Sequence, residues 1–330
     1  MTRYFLGIDT GATKSHALIA DEAGRAVSLG VGGPGNWESI GWDGTRATLD
    51  GIITQAVAAA GIERHQIAAY GFGLAGYDWP EDLPPHAEII HSLGIEAPYQ
   101  IVNDAFIGLL AGASRGWGVA VAAGTSCNCY GRNQQGDVGR VGGASGWFGE
   151  YAGSGELVAR AIHAVAKEWS MRGPETKLTP ALLTAAGAAD VVDLLGGLMR
   201  SRYYLGADCA PLVFEVAAQG DEVAQDLVRW AAQELGGLAI GVIKQLALES
   251  SDLEIVLSGS FYNGSPLIKS LMTETIHTVA PKAQLVRLNA PPVVGGVILA
   301  MEQVGLDSTS LRPYLAETTV KLMEKQGFRS

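Results

Sequence analysis

Cysteine is scarce: three in 330 residues, Cys127, Cys129 and Cys209. That number is odd and too small for a disulfide framework. A reducing compartment suits such a chain, and the cytoplasm is the expected location. Charge is scarce as well. Only 17% of the residues are Asp, Glu, Lys or Arg, against roughly 25% in an ordinary globular chain, while 48% are hydrophobic. A disordered chain is therefore excluded and a large core expected. Lys and Arg are the rarer sign, 23 against 34 acidic residues, for a net charge of −11. This leaves no broad basic surface for nucleic acid, though a few backbone N–H groups suffice to hold one small anion. Long apolar runs are missing too. No window approaches the roughly 18 uncharged apolar residues of a membrane span; the best candidate, near 235–248, is interrupted by Lys244. The opening MTRYFLGIDTGATKS has too short an apolar run for a signal peptide.

Glycine is what the chain has in excess. There are 44 in 330 residues, against an average near 7%. They gather at 30–35, 71–76, 116–124, 139–155 and 259–264, where tight turns and close approach of backbone to a ligand are expected.

Hydrophobic periodicity predicts strands at 3–8, 15–20, 26–31, 67–74, 99–102, 117–122, 127–131, 253–258 and 284–288. It predicts helices at 46–60, 86–93, 105–113, 155–169, 181–199, 209–219, 222–248, 265–278, 295–303 and 310–325. The order is α/β but opens on consecutive strands, which favours mixed sheets over a purely parallel one. An internal repeat stands out: FLGIDTGATKSHALIAD and GVAVAAGTSCNCYGRN both read strand, Gly–Thr turn, strand. A duplicated domain with one glycine hairpin in each half would produce it, and two such hairpins facing across a cleft could grip a chain of phosphates.

Four short segments carry chemistry. In Asp9-Thr10-Gly11-Ala12-Thr13-Lys14, small residues and successive N–H groups suit an anion cradle. Thr10 and Thr13 add hydroxyls and Lys14 adds a positive charge, while Asp9 has the sign for Mg²⁺ held through water. The bland alternative is a plain hairpin turn. Gly124-Thr125-Ser126-Cys127-Asn128-Cys129 offers the same two readings. In Val102-Asn103-Asp104-Ala105, a carboxylate at a strand-to-helix junction is either a helix cap or a general base for a hydroxyl attacking phosphorus. Ser258-Gly259-Ser260 is either an ordinary loop or a turn that seats a nucleobase or ribose.

These segments, in this order, resemble the sugar kinase, Hsp70 and actin superfamily, and within it the BadF/BadG/BcrA/BcrD type, most of all its amino-sugar kinase group. Asp9 through Ser15 matches a D-G-G-G-T-K-[ST] loop with Thr10 and Ala12 in place of two glycines. Gly124 through Cys129 matches G-T-G-S-N-C with Ser126 and Cys127 as departures, and Asp104 falls on the family's catalytic aspartate. Gly35-Asn36-Trp37, GLAGYD at 73–78, Gly142-Gly143, the run GEYAGSG from Gly149 to Gly155, and PVVGGVILAM from Pro292 to Met301 match further segments, with Glu150 where the family has Asp.

The resemblance implies two RNase H-like (actin-like ATPase) lobes with mixed sheets around an inter-domain cleft. The first lobe, on the sugar side, spans 1–115 with the terminal helix of 296–330 packing back on it. The second, on the nucleotide side, spans 116–295 with a helical insertion at 150–250, and the hinges lie near 113–117 and 290–296. It further implies ATP and Mg²⁺ as cofactors. The phosphates would meet Thr10, Gly11, Ala12, Thr13, Lys14, Gly124, Thr125 and Ser126, the adenosine Gly259 and Ser260, and Mg²⁺ the carboxylate of Asp9 through water. An amino sugar, N-acetylglucosamine or glucosamine, would sit against Asn36, Trp37, Asn103, Asp104, Asn128 and Glu150 and be phosphorylated, at O6, with Asp104 as base. A homodimer is implied as well.

Two other functions fit the same scaffold. An activator ATPase of the 2-hydroxyacyl-CoA dehydratase type would hold an iron–sulfur cluster between subunits; Cys127 and Cys129 supply two thiols on one strand face, inside the second phosphate loop. A non-catalytic sugar sensor would bind without turnover, and no helix-turn-helix precedes residue 1. The six histidines show no H-x-x-x-H pair, and packing or surface roles are expected for them.

Overall fold

The computed structural model describes residues 2–142 and 148–327; Gly143 lies outside them. The chain opens with an antiparallel meander of three strands, β1 (Tyr4–Thr10), β2 (Ser15–Asp21) and β3 (Ala26–Gly32). Helix α1 (Trp37–Ala60) leads to β4 (Ile67–Leu74), and α2 (Leu83–Ser92) to β5 (Tyr99–Asn103), both parallel to β1. The first sheet thus has the order β3-β2-β1-β4-β5.

Helix α3 (Asp104–Gly112) leaves it, and the pattern repeats. β6 (Gly118–Ala123), β7 (Cys127–Arg132) and β8 (Val138–Gly142) form a second antiparallel meander. Five helices follow, α4 (Ser154–Trp169), α5 (Leu178–Ala186), α6 (Val191–Met199), α7 (Ala210–Ala218) and α8 (Glu222–Gln245). Then come β9 (Glu254–Ser258), α9 (Pro266–His277) and β10 (Gln284–Arg287), which complete a sheet of order β10-β9-β6-β7-β8. Read from its meander end, this is the order of the first sheet. The expected α/β class holds: two RNase H-like lobes, each a mixed sheet, with one glycine hairpin apiece.

Helix α3 stands between the two sheets, packing against α10 (Val293–Glu302) and β4 on one side and against β6, β7 and β9 on the other. Helices α10 and α11 (Ser308–Lys325) return to the first sheet, α10 onto β1 and β4, α11 onto β3. The contact of α10 is made backbone to backbone. A Cβ on Gly7 would sit 2.2 Å from the Val297 nitrogen, and one on Gly71 2.1 Å from the Gly296 oxygen. The opposite face of the first sheet is covered by α1 and α2 through Leu49, Ile52, Ile53, Ile89 and Ile90. The largest apolar cluster lies in the second half, where Val119, Val121, Ile255 and Leu257 of the strands meet Leu235, Ala239, Val242 and Ile243 of α8 and Ile268 and Met272 of α9.

Local signals account for most boundaries and for three differences from the expected elements. Helix α1 starts at Trp37 rather than near 46, because Asn36 caps it by accepting from Glu38 N at 2.9 Å; Gly41, at φ 71°, kinks it and interrupts the apolar period. The single helix expected at 181–199 is two, because Gly187 ends α5 in the left-handed region and Asp190 caps α6. Strand β8 was not expected; it is five residues long with two glycines and an exposed Val138. No helix among the described residues is by itself long and apolar enough to cross a membrane.

Candidate active site between the two sheets

The turns of the two meanders meet. Each is closed by its own backbone bond, Gly11 N to Lys14 O at 2.9 Å and Gly124 N to Ser126 O at 2.9 Å. Ala12 of the first and Ser126 of the second line one cavity of about 340 Å³. The same cavity is lined by Asn36 at the head of α1, Asn103 and Asp104 at the head of α3, Asn128 on β7, and Glu150. Seven of the residues expected from the sequence are therefore gathered around one space.

Asp104 lies in its wall, placed by its neighbour. Asn103 is the N-cap of α3, its Oδ1 accepting from Ala105 N at 2.9 Å. Its Nδ2 donates to Asp78 Oδ1 at 3.0 Å and to the Tyr77 carbonyl at 3.2 Å. The cap is thus made one residue ahead of Asp104, whose Oδ1 also accepts from Ala105 N. Burial, then the charges of Asp9 and Asp78, push the Asp104 pKa up to about 7. Asp78 is pushed up to about 6 by burial and then by Glu38, Asp82 and Glu150, with Arg140 opposing. A carboxyl group with a pKa near neutrality suits proton transfer at physiological pH. Asn128 donates to Asn103 Oδ1 at 3.4 Å, while its own buried Oδ1 has no hydrogen-bond partner among the described residues. A buried acceptor without a donor is costly, and a ligand O–H or N–H in the cavity would satisfy it.

The other expected residues are not among those that line this cavity. Thr13, Lys14 and Thr125 are exposed on the two turns, and Asp9, the penultimate residue of β1, has its Oδ2 4.0 Å from His16 Nδ1. Gly124 and Thr125 give their carbonyls to Ser154 N (2.8 Å) and Gly155 N (2.9 Å), which fixes the second turn to the start of α4. Gly259, at φ 100°, follows β9 and packs so closely on the end of β6 that a Cβ there would be 2.1 Å from the Ala123 oxygen; Ser260 beside it is exposed.

Two side chains are placed otherwise than the sequence suggests. Thr10 is fully buried, and its Oγ1 accepts from Ala75 N at 3.2 Å, so its hydroxyl braces the turn from inside instead of facing the cavity. The Trp37 ring stacks on Trp42 at 4.4 Å and its Nε1 donates to the Gly76 carbonyl at 2.7 Å; it does not line the cavity but holds a residue that does. The thiols of Cys127 and Cys129 are buried. Burial pushes Cys127 up to about 12 and raises Cys129 well above its ordinary value.

Glu38, Ala75, Gly76 and Asp78 line the cavity without having been singled out as site residues, and Cys127, considered only as a cluster thiol within the second loop, lines it too. Asp78 ends the GLAGYD segment and Glu38 sits two residues after the cap Asn36, so each had a local signal beside it. In donor chemistry the walls fit a polyhydroxylated ligand: carboxylates and amides with hydrogen-bonding atoms, and backbone turns of small residues on two sides. Among the described residues no group of three His, Cys, Asp or Glu could enclose a metal ion. Asp9 offers one carboxylate of the kind Mg²⁺ takes, an ion that keeps several of its waters.

The chain is similar to known proteins over most of its length. An N-acetylmuramic acid/N-acetylglucosamine kinase of Clostridium acetobutylicum is 26% identical over 303 residues, 91% of this chain and 99% of the relative. An N-acetyl-D-glucosamine kinase of Dictyostelium discoideum is 27% identical over 310 residues, 90% of this chain and 97% of the relative. A solved structure from Chromobacterium violaceum, described as a candidate N-acetylglucosamine kinase, shares the fold with a TM-score of 0.64 at 23% identity, covering 90% of this chain and 98% of that one. The family model that matches residues 6–300 spans nearly the whole chain, and the protein belongs to the BadF/BadG/BcrA/BcrD ATPase family.

Proposed function

We propose that the protein is a kinase that transfers the γ-phosphoryl group of ATP to an amino sugar of the N-acetylglucosamine type, at the C6 hydroxyl. The observation that carries this reading is the meeting of three elements in one cavity: the Ala12 turn, the Ser126 turn and the Asp104 carboxylate. The two full-length relatives at 26% and 27% identity support the substrate class.

In this reading the exposed turns at 11–14 and 124–126 flank the phosphates, with the Lys14 ammonium available to them, and the Gly259–Ser260 turn flanks the adenosine. Asn36, Asn103, Asn128 and Glu150 orient the sugar hydroxyls, and Trp37 supports them through Gly76. Asp104 takes the proton of the acceptor hydroxyl as its oxygen bonds to phosphorus and the bond to ADP breaks. The chemistry calls for positioning, neutralisation of the phosphate charge and one base. Asp9 would hold Mg²⁺ through water, and the ion would neutralise phosphate charge. We assign the lobes as 1–115 with 296–330, and 116–295; the packing of α10 and α11 on the first sheet supports this division. Closure of the lobes would keep water from competing with the sugar.

The test is ADP release measured with N-acetylglucosamine, glucosamine, N-acetylmuramic acid and glucose as acceptors. Release dependent on an amino sugar, with the 6-phosphate as product, is expected. ATP hydrolysis at the same rate with and without every sugar would overturn the reading.

A further inference from the structure

A second cavity, of about 490 Å³, lies away from the proposed active site, against helix α11. Its walls include Ala111 and Gly112 at the end of α3, and Asn289 and Ala290 in the segment joining β10 to α10. These are the two places where the chain passes between the sheets, so the cavity sits on both crossings at once.

Cations outnumber carboxylates by three to two in its walls. Arg287, Arg312 and Lys321 line it, together with Glu317 and Glu324. Lys321 pairs with Glu317 one turn away on α11. The guanidinium groups are bound differently. Arg287 donates to the Leu257 and Gly259 carbonyls at 2.8 and 2.6 Å and to Asn263 Oδ1 at 3.2 Å. Arg312 donates to the Ala111 carbonyl at 3.2 Å. Both sets of partners are neutral. The Arg312 Nε–H is buried with no hydrogen-bond partner among the described residues, a donor left unsatisfied and therefore costly.

We propose that this cavity is a second ligand site, which takes a phosphomonoester or phosphate dianion between Arg287 and Arg312. Guanidinium groups match phosphate oxygens in geometry and form the stronger, charge-assisted hydrogen bonds. A dianion offsets both of their charges, while Lys321 on the same wall is already paired with Glu317. The ligand would join α11, which packs on the first sheet, to Arg287, at the end of the second sheet and bonded to the Gly259 turn. Occupancy therefore acts on the relative placement of the two halves and on the turn assigned to adenosine. The binding itself does not depend on the kinase reading; only the effect on turnover does.

The test is equilibrium binding of inorganic phosphate, glucosamine 6-phosphate and sulfate to the wild-type chain and to Arg312→Met, by calorimetry with AMP-PNP and N-acetylglucosamine present to fill the active site. A phosphate site whose affinity falls at least about tenfold in Arg312→Met is expected, with ligand-free turnover and melting temperature kept. Tighter Arg312-dependent binding of the sugar phosphate than of phosphate identifies a sugar phosphate as the ligand, and equal affinities identify free phosphate. Equal binding by wild type and variant, or no binding up to about 10 mM, overturns the proposal. Should Arg312→Met fail to fold, Arg312→Lys replaces it: weakened phosphate binding, with the guanidinium fork lost, supports the site and unchanged binding refutes it.

Discussion

Asn103 donates its side-chain amide to Asp78 Oδ1 at 3.0 Å while its carbonyl oxygen caps α3 at Ala105 N. One side chain thus starts the helix that stands between the sheets, fixes the Asp78 carboxylate, and sets the direction in which its neighbour Asp104 points. Replacing it removes a cap worth about 1 kcal/mol and a hydrogen bond to a charged group worth about 1.5–3 kcal/mol. Asn103→Ala is expected to lower the melting temperature by several degrees and kcat by at least about tenfold, read by thermal denaturation and steady-state kinetics on the same preparation. Full activity at an unchanged melting temperature would refute this role.

The raised pKa of Asp104 has a pH signature. A general base must be unprotonated, so kcat/KM should rise with pH and level off above about 7. The charge of Asp78 is one cause of the elevation. In Asp78→Asn the rising limb should therefore move to lower pH. A shift to higher pH, or none, contradicts the electrostatic account.

The same group makes a stability prediction of opposite sense. Between the ordinary carboxyl value near 4 and about 7, the folded state holds a proton on Asp104 that the unfolded chain releases. Folding stability from this group therefore falls as pH rises through that window. Asp104→Asn should melt at a higher temperature than wild type at pH 8, and the difference should shrink at pH 5. An equal or lower melting temperature at pH 8 would mean that burial of the charge costs little.

Thr10 separates two readings that its sequence leaves open. Its hydroxyl meets the Ala75 amide inside the fold, so Thr10→Val is expected to cost about 1 kcal/mol of stability and to leave the KM for ATP unchanged. A raised KM for ATP at constant stability would return the hydroxyl to the phosphate side.

Much of the fold was legible because its signals are local. Strand–glycine turn–strand occurs twice, and the structure has two meanders with the same strand order. What escaped was set by glycine within elements or by distant partners. Gly41 breaks the period of α1, and the short β8 is defined by pairing with β7 rather than by its own pattern. In the site, Asn36, Asn103 and Asp104 could be read from motif order. Asp78 matters through its own burial and its charge on Asp104, and Glu38 through its charge on Asp78, which no spacing along the chain expresses. Thr10 and Trp37 sit within recognisable motifs, yet their side chains are turned by Ala75, Gly76 and Trp42.

The seating of α10 on the first sheet is testable without activity. A methyl on Gly71 would collide with the Gly296 carbonyl, so Gly71→Ala is expected to cost about 3 kcal/mol or more, or to leave no folded protein. Gly33→Ala, where nothing lies within 4 Å, should be nearly neutral. Denaturant titration of both decides the matter, and equal stabilities would show that the helix yields.

The central claim is that Asp104 takes the proton of the acceptor hydroxyl between the two turns. It is tested most directly by the phosphorylation rate of N-acetylglucosamine by Asp104→Asn at saturating ATP. The account predicts a fall in kcat of about 10²- to 10⁴-fold with the circular dichroism of the wild type and sugar binding retained. A variant that turns over within a few-fold of wild type would contradict it.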